Sequence, residues 1–195
     1  MQEVIQAIEI FAAVTGVLYV ILEILQKNSM WVVGILTGIA CAFSFGVQHV
    51  WASMGLNLYY VGMSVVGLVQ WQKAGAQVGE GEIHLRKLPR KVSGWSAALF
   101  FVGALVLIRL LDAAGDAQPY LDGSATALSI VATWWLAQSY LEQWLLWILA
   151  DILTTTLCLL TGQYALAVLY LCYIGSAVYG YFHWKKRGKV VTLDQ

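Results

Sequence analysis

The chain has 195 residues, 60% of them hydrophobic and 11% charged, with eleven basic and eleven acidic side chains and a mean hydropathy of +0.72. A soluble domain of this size cannot hide that much apolar surface, which excludes one and makes the bilayer the solvent. Zero net charge without Arg/aromatic interleaving excludes a nucleic-acid partner, and three scattered cysteines exclude a disulfide frame.

Runs of ~17–25 apolar residues predict an all-α integral membrane protein with seven spans. They are Ile5–Leu25, Trp31–Gln48, Val50–Trp71, Gly94–Leu111, Leu121–Gln138, Gln143–Thr161 and Tyr164–Trp184. The first begins near Glu3 and Glu9 rather than a basic region, so by pattern it is not a cleaved signal peptide. Glu23 lies near its inner end, with Lys27 at i+4 as an ordinary helix partner. In the third span, Asn57 and Tyr60 at i, i+3 offer an amide and a phenol on one face. The connection Gln72–Ser93 is Gly/Gln/Glu-rich and then basic, and reads as a linker.

The fifth span carries Asp122, Thr126, Ser129 and Thr133 as a polar stripe. Asp122 suits a helix N-cap, and Thr126 and Ser129 suit bonds to the carbonyl one turn back. Thr133, nearer mid-membrane, is a candidate for ligand contact. Trp134 and Trp135 cannot share a face, so at least one is expected to meet lipid. In the sixth span Asp151 sits among apolar residues, with Trp144 and Trp147 seven and four positions before it on one helical face. A mid-membrane carboxylate costs roughly 2.5–3.5 kcal/mol and is retained for a function by default. Aromatic faces beside an anion make a seat for a flat organic cation. Tyr170 and Tyr173 add two phenols in the seventh span. Cys41, Cys158 and Cys172 read as buried hydrophobes. No metal-ligand, phosphate-loop or nucleophile motif is present, so neither cofactor nor enzyme chemistry is expected.

Ten of the eleven basic residues fall on one set of span ends, only Arg109 on the other. The positive-inside rule then places the N-terminus outside and the C-terminus in the cytoplasm. Trp31, Trp51, Trp71 and Trp184, near span ends, suit interfacial anchoring.

Laying Trp31–Lys73 over Trp144–Lys186, a constant offset of 113 without gaps, gives 13 identities in 43 positions. They include Trp31/Trp144, Tyr60/Tyr173, Gly62/Gly175, Gly67/Gly180 and Trp71/Trp184. A single span between two three-helix units gives both the same orientation, a 3+1+3 arrangement with parallel repeats and a substrate near the midplane between them. The division is then 1–72 first repeat, 73–93 cytoplasmic linker, 94–112 linking helix, 121–186 second repeat and 187–195 tail. Asp151 aligns with Gly38, Trp147 with Gly34 and Asn57 with Tyr170, which suggests one asymmetric ligand on the axis. On that reading Trp144 and Trp147 stack on the ligand, Asp151 is its counter-charge and the matched Trp31 is structural.

The stretch Tyr120–Lys186, above all Glu142, Trp144 and Trp147 in an E-x-W-x-x-W pattern, resembles the PnuC family of bacterial vitamin transporters; so does Trp51–Trp71. The resemblance implies a SWEET-like seven-helix fold, a homotrimer in the bacterial inner membrane, and facilitated diffusion with trapping by a cytoplasmic kinase. It places Trp144 and Trp147 in the pocket. Its default substrate is nicotinamide riboside, and thiamine, the substrate of a branch similar around Leu56–Tyr60 and at Asp151, stays open beside it. Asn57, Tyr60, Thr133, Tyr170 and Tyr173 complete the expected contacts. More distant alternatives are proton-coupled vitamin transport, with Asp151 and Glu23 as relay acids, and a seven-helix receptor.

Overall fold

A computed structural model of the chain describes residues 2–49, 51–78 and 82–191. The elements run α1 (Gln2–Ile24), α2 (Ser29–Val47), α3 (Trp51–Gly75), β1 (Ile83–Leu85), α4 (Arg90–Ala113), α5 (Pro119–Ala137), α6 (Gln143–Leu160), α7 (Tyr164–Arg187) and β2 (Gly188–Val190). They divide into two compact units, Met1–His84 with Val191–Gln195, and Leu85–Val190. The side chain of Trp51 and the tail 192–195 lie outside the described residues.

Seven helices stand where the apolar runs predict them, with two differences. The helix after the linker starts at Arg90, four residues before the predicted span, because Pro89 holds an extended backbone at its N-cap (φ −70°, ψ 140°) and fixes the entry. The linker also contains structure: the Ile83-His84-Leu85 triplet is strand β1 and is buried throughout. Among the described residues α2, α4, α6 and α7 are each long and apolar enough to cross a membrane, while α1 contributes the shorter apolar run Ile10–Ile24. Polar inward stripes dilute α3 (Ser53, Asn57, Ser64) and α5 (Asp122, Thr126, Ser129, Thr133).

In unit 1, α2 packs against both α1 and α3; in unit 2, α5 packs between α4 and α6, and α6 against α7. The lipid-like faces are apolar and exposed, such as Leu145, Leu149, Ile152 and Leu159 on α6. Close approach falls on glycine. A Cβ on Gly123 would stand 2.9 Å from the Ile108 backbone nitrogen, so α4 and α5 meet nearly backbone to backbone. The two adjacent tryptophans of α5 differ in burial: Trp135 is buried, and Trp134 is partly exposed. Trp135 donates its indole N–H to Ser96 Oγ (2.9 Å) and packs with Val131 and Tyr140, and Trp134 is half-buried against the same cluster.

The offset of 113 reaches beyond the aligned stretch into backbone geometry. Ile24 and Ala137, the last residues of α1 and α5, are 113 apart. Both helices end in the same paired bonds around a left-handed residue, Gln26 (φ 49°) and Ser139 (φ 58°). Gln26 N donates to Glu23 O (2.9 Å) and Lys27 N to Leu22 O (2.9 Å); Ser139 N donates to Leu136 O (2.9 Å) and Tyr140 N to Trp135 O (3.1 Å). The next turns match again, through His49 (φ 60°) and Gly162 (φ 74°). Holding non-glycine residues left-handed costs roughly 1–2 kcal/mol each, so its recurrence at three of four sites marks a required turn.

Candidate functional site

The inward face of α6 is Trp144, Trp147, Asp151, Thr155 and Cys158, spaced by three or four residues as one helical stripe. Trp144, Asp151, Thr155 and Cys158 are buried and Trp147 is half-buried. Asp151, 7% exposed, receives no hydrogen bond on its carboxyl from any described residue; Thr155 Oγ1 bonds only its backbone carbonyl (2.7 Å). The ionisable groups of α7 within electrostatic reach of it include the phenols of Tyr170 and Tyr173. These two rings meet edge to face at 5.7 Å and 84°. Asp151 thus lies within electrostatic reach of the Tyr170–Tyr173 pair of α7, with Trp147 one turn before it on α6.

Trp144 is placed differently from expectation. Its indole is 2% exposed, lies edge-on to Trp184 (5.3 Å, 86°), and sits where a Cβ on Gly180 would be 2.6 Å away. Trp31 in unit 1 has the repeat-matched neighbours: Trp71 at 5.0 Å and 77°, and Gly67, whose added Cβ would stand 2.4 Å away. A ring wedged on a glycine and capped by a second indole is a packing element, and both repeats have one. The contrast expected between a ligand-stacking Trp144 and a structural Trp31 is therefore absent from their surroundings. The interfacial roles expected for Trp31, Trp71 and Trp184 are likewise replaced by full burial, 0% exposed in each case.

Thr133, 5% exposed on α5, donates its hydroxyl to Ser129 O (2.7 Å), so toward a ligand it has only an acceptor left. Thr126 and Ser129 also bond within α5, to Asp122 (3.3 Å) and Ala125 O (2.9 Å). Asp122 is in the first turn rather than at the cap; Asp116, accepting from Gln118 N at 2.7 Å, holds the turn into α5.

In unit 1 the inward stripe of α3 runs Ser53, Asn57, Tyr60, Ser64, Gly67 and Trp71. Asn57 donates its amide to Ser53 O (2.9 Å), leaving Oδ1 as the acceptor it can offer. Sequence reasoning undervalues Glu23: it is 4% exposed rather than interfacial, one turn after Tyr19, and Tyr19 has Glu23 and Tyr60 as its ionisable neighbours. The signal in the sequence is an acid inside a predicted span, which Lys27 at i+4 makes resemble an ordinary exposed helix pair.

His84 is the other residue that the sequence alone left unassigned. Its backbone is clasped by the Gln26 side chain, which donates Nε2 to His84 O (2.9 Å) and accepts from His84 N (2.7 Å). Its ring meets Trp71 edge-on at 5.6 Å. A cleft of about 260 Å³ lies here, lined by residues including Lys27, Trp71, Gln72, Glu82 and His84. Burial pulls the His84 imidazole from 6.5 down to about 4, against a smaller backbone hydrogen-bond effect. In unit 2 the following linker residue Arg86 donates its backbone N–H to Ser139 O (3.0 Å), reaches Gln138 with its guanidinium and stands over the Tyr140 ring. The linker thus binds the matched turn of each unit, at Gln26 and at Ser139.

Residues 6–186 match the family model described as Nicotinamide mononucleotide transporter. The Nicotinamide riboside transporter PnuC of Neisseria mucosa is 34% identical over 185 residues, covering 90% of this chain and 70% of that protein. The protein of the same name from Haemophilus influenzae is 29% identical, covering 90% of this chain and 77% of that one. A crystal structure of the vitamin B3 transporter PnuC superposes with a TM-score of 0.71 at 32% identity, covering 90% of this chain and 79% of that one.

Proposed function

Because the chain belongs to the nicotinamide mononucleotide transporter family, whose members are multi-pass membrane transporters rather than enzymes, we propose that it imports nicotinamide riboside. The observation that carries this reading is the Asp151 carboxylate, buried in α6 one turn after Trp147, without a hydrogen-bond donor among the described residues and with two phenols of α7 within electrostatic reach. A pyridinium ring supplies both things the arrangement lacks, a positive charge for the acid and a flat face for the indole. The proposed contacts are Asp151 as counter-charge, Trp147 for stacking, Tyr170, Tyr173 and Thr133 for hydrogen bonds, with Asn57 and Tyr60 contributing from the first repeat. Trp144 acts on the site by fixing α6 against α7.

The transport mode we propose is facilitated diffusion: the 3+1+3 parallel repeats rock around the substrate, and phosphorylation in the cytoplasm retains it. The protein sits in the bacterial inner membrane with its N-terminus outside, as a homotrimer. Thiamine, also a flat cation, is the second reading, favoured by the same Asp151. A calorimetric titration of the purified protein with nicotinamide riboside, thiamine and riboflavin tests the assignment. Binding of nicotinamide riboside ahead of the other two supports it; binding of thiamine alone moves the assignment to that substrate, and binding of neither cation removes it.

A further inference from the structure

The offset of 113 pairs the cleft of unit 1 with a filled place in unit 2. Leu25, Lys27, Trp71 and Gly75 line the cleft; their matches are Gln138, Tyr140, Trp184 and Gly188. In unit 2 the linker closes that place with its own side chains. Leu85, 7% exposed, sits on Gly188, where an added Cβ would clash with its Cδ1. Arg86 bonds Gln138 and stands 5.9 Å over the Tyr140 ring, which is 4% exposed.

Unit 1 leaves the matched place open. Among the described residues a Cβ on Gly75 would meet His84 Cδ2 alone, at 3.9 Å, and a cleft of about 260 Å³ remains. The two places differ in charge as well. Where unit 2 has Tyr140, which receives a guanidinium, unit 1 has Lys27, itself a cation. Among the described residues Lys27 has no ion pair, and the side-chain amides of Asn28 and Gln72 have no hydrogen bond. A phosphate complements that set, because it accepts from an ammonium and from amides at once. Glu82 also lines the cleft, held by an interaction of its own, and adds a negative charge. Beside it a bare polyanion is repelled, and an anion that carries a cationic group is favoured.

We propose that this cleft is a second ligand site, for a small molecule that joins a phosphate to an organic cation. Its volume suits one small molecule rather than a peptide segment. On the orientation proposed above, the cleft lies on the cytoplasmic side. The compound of this description that the cytoplasm would hold is the imported vitamin after phosphorylation. That identification rests on the reading of the substrate as a cationic vitamin retained by phosphorylation. A zwitterionic phospholipid headgroup has the same chemistry, and the test separates the two sources.

The test is calorimetry on the purified protein with nicotinamide mononucleotide, run with nicotinamide riboside at saturation so that the transport site is filled. Binding of the mononucleotide should persist under saturation and fall about fivefold or more in Lys27→Gln, while Lys27→Arg keeps most of it. Inorganic phosphate should bind more weakly than the mononucleotide, and Glu82→Gln should narrow that difference. Lys27→Gln should bind nicotinamide riboside within about twofold of wild type, which certifies its fold. No binding under saturation, binding indifferent to Lys27→Gln, or inorganic phosphate bound equally well would each overturn the site alone. So would loss of nicotinamide riboside affinity in Lys27→Gln, which would make Lys27 structural. Displacement of the mononucleotide by short-chain phosphatidylethanolamine at equal concentration would assign the cleft to lipid and overturn the proposal. A wild type that does not bind nicotinamide riboside would overturn the vitamin reading, and the identification of this ligand with it.

Discussion

The indole of Trp144 lies directly over Gly180, so close that a single added methyl carbon would stand 2.6 Å from the ring, and Trp31 repeats the contact on Gly67 at 2.4 Å. Small residues let membrane helices approach, and here they receive one large ring per repeat. Gly180→Ala and Gly67→Ala should each destabilise the protein by about 1–3 kcal/mol, the usual cost of overpacking. Thermal unfolding in detergent should show both losses. A variant as stable as wild type would mean that the indole has room to move aside.

The same relationship separates the two tryptophans of α6. Trp144→Ala should resemble Trp31→Ala, with a loss on the order of 3–5 kcal/mol in stability. Trp147→Ala should instead weaken substrate binding by more than ~1 kcal/mol in a protein that still folds. Unchanged affinity in Trp147→Ala would leave that ring as packing only.

Much of this arrangement was legible in the sequence. Apolar runs located all seven helices, and the Trp, Tyr and Gly identities at offset 113 located the matched contacts. What the sequence did not convey was the direction of the large rings. Trp31, Trp71 and Trp184 stand near span ends, where anchoring in the interface is the usual role, yet each is wholly buried against its repeat's glycine or neighbouring indole. Glu23 was obscured by a basic residue at i+4, a pattern shared by exposed helix pairs.

The buried imidazole of His84 makes stability pH-dependent. Its folded value of about 4 is below its ordinary 6.5, so the unfolded chain binds the extra proton between those limits. The contribution is intact above pH 6.5 and is lost as pH falls toward 4, by at most about 3 kcal/mol. Unfolding midpoints measured from pH 7.5 to 4.5 should fall more steeply for the wild type than for His84→Gln. Parallel profiles would show that His84 does not change protonation between folded and unfolded states over that range.

Passive transport predicts that labelled nicotinamide riboside equilibrates across proteoliposomes without a gradient and exchanges with unlabelled substrate. Proton and sodium ionophores should leave the rate and the end point unchanged. Accumulation above the outside concentration, abolished by either ionophore, would establish coupling and return Asp151 and Glu23 to the role of relay acids.

The charge on Asp151 is the centre of the account, and Asp151→Asn isolates it. The amide retains size and hydrogen-bonding capacity, Gly38 at the matched position shows that the scaffold needs no carboxylate there, and removing a buried charge leaves folding intact or improves it. Calorimetry on wild type and Asp151→Asn should be run with nicotinamide riboside and its uncharged dihydro form. The predicted result is a loss of affinity of about tenfold or more for the cation, roughly 1.4 kcal/mol, with a much smaller loss for the neutral compound. Wild-type affinity for the cation, or an equal loss for both compounds, would contradict it.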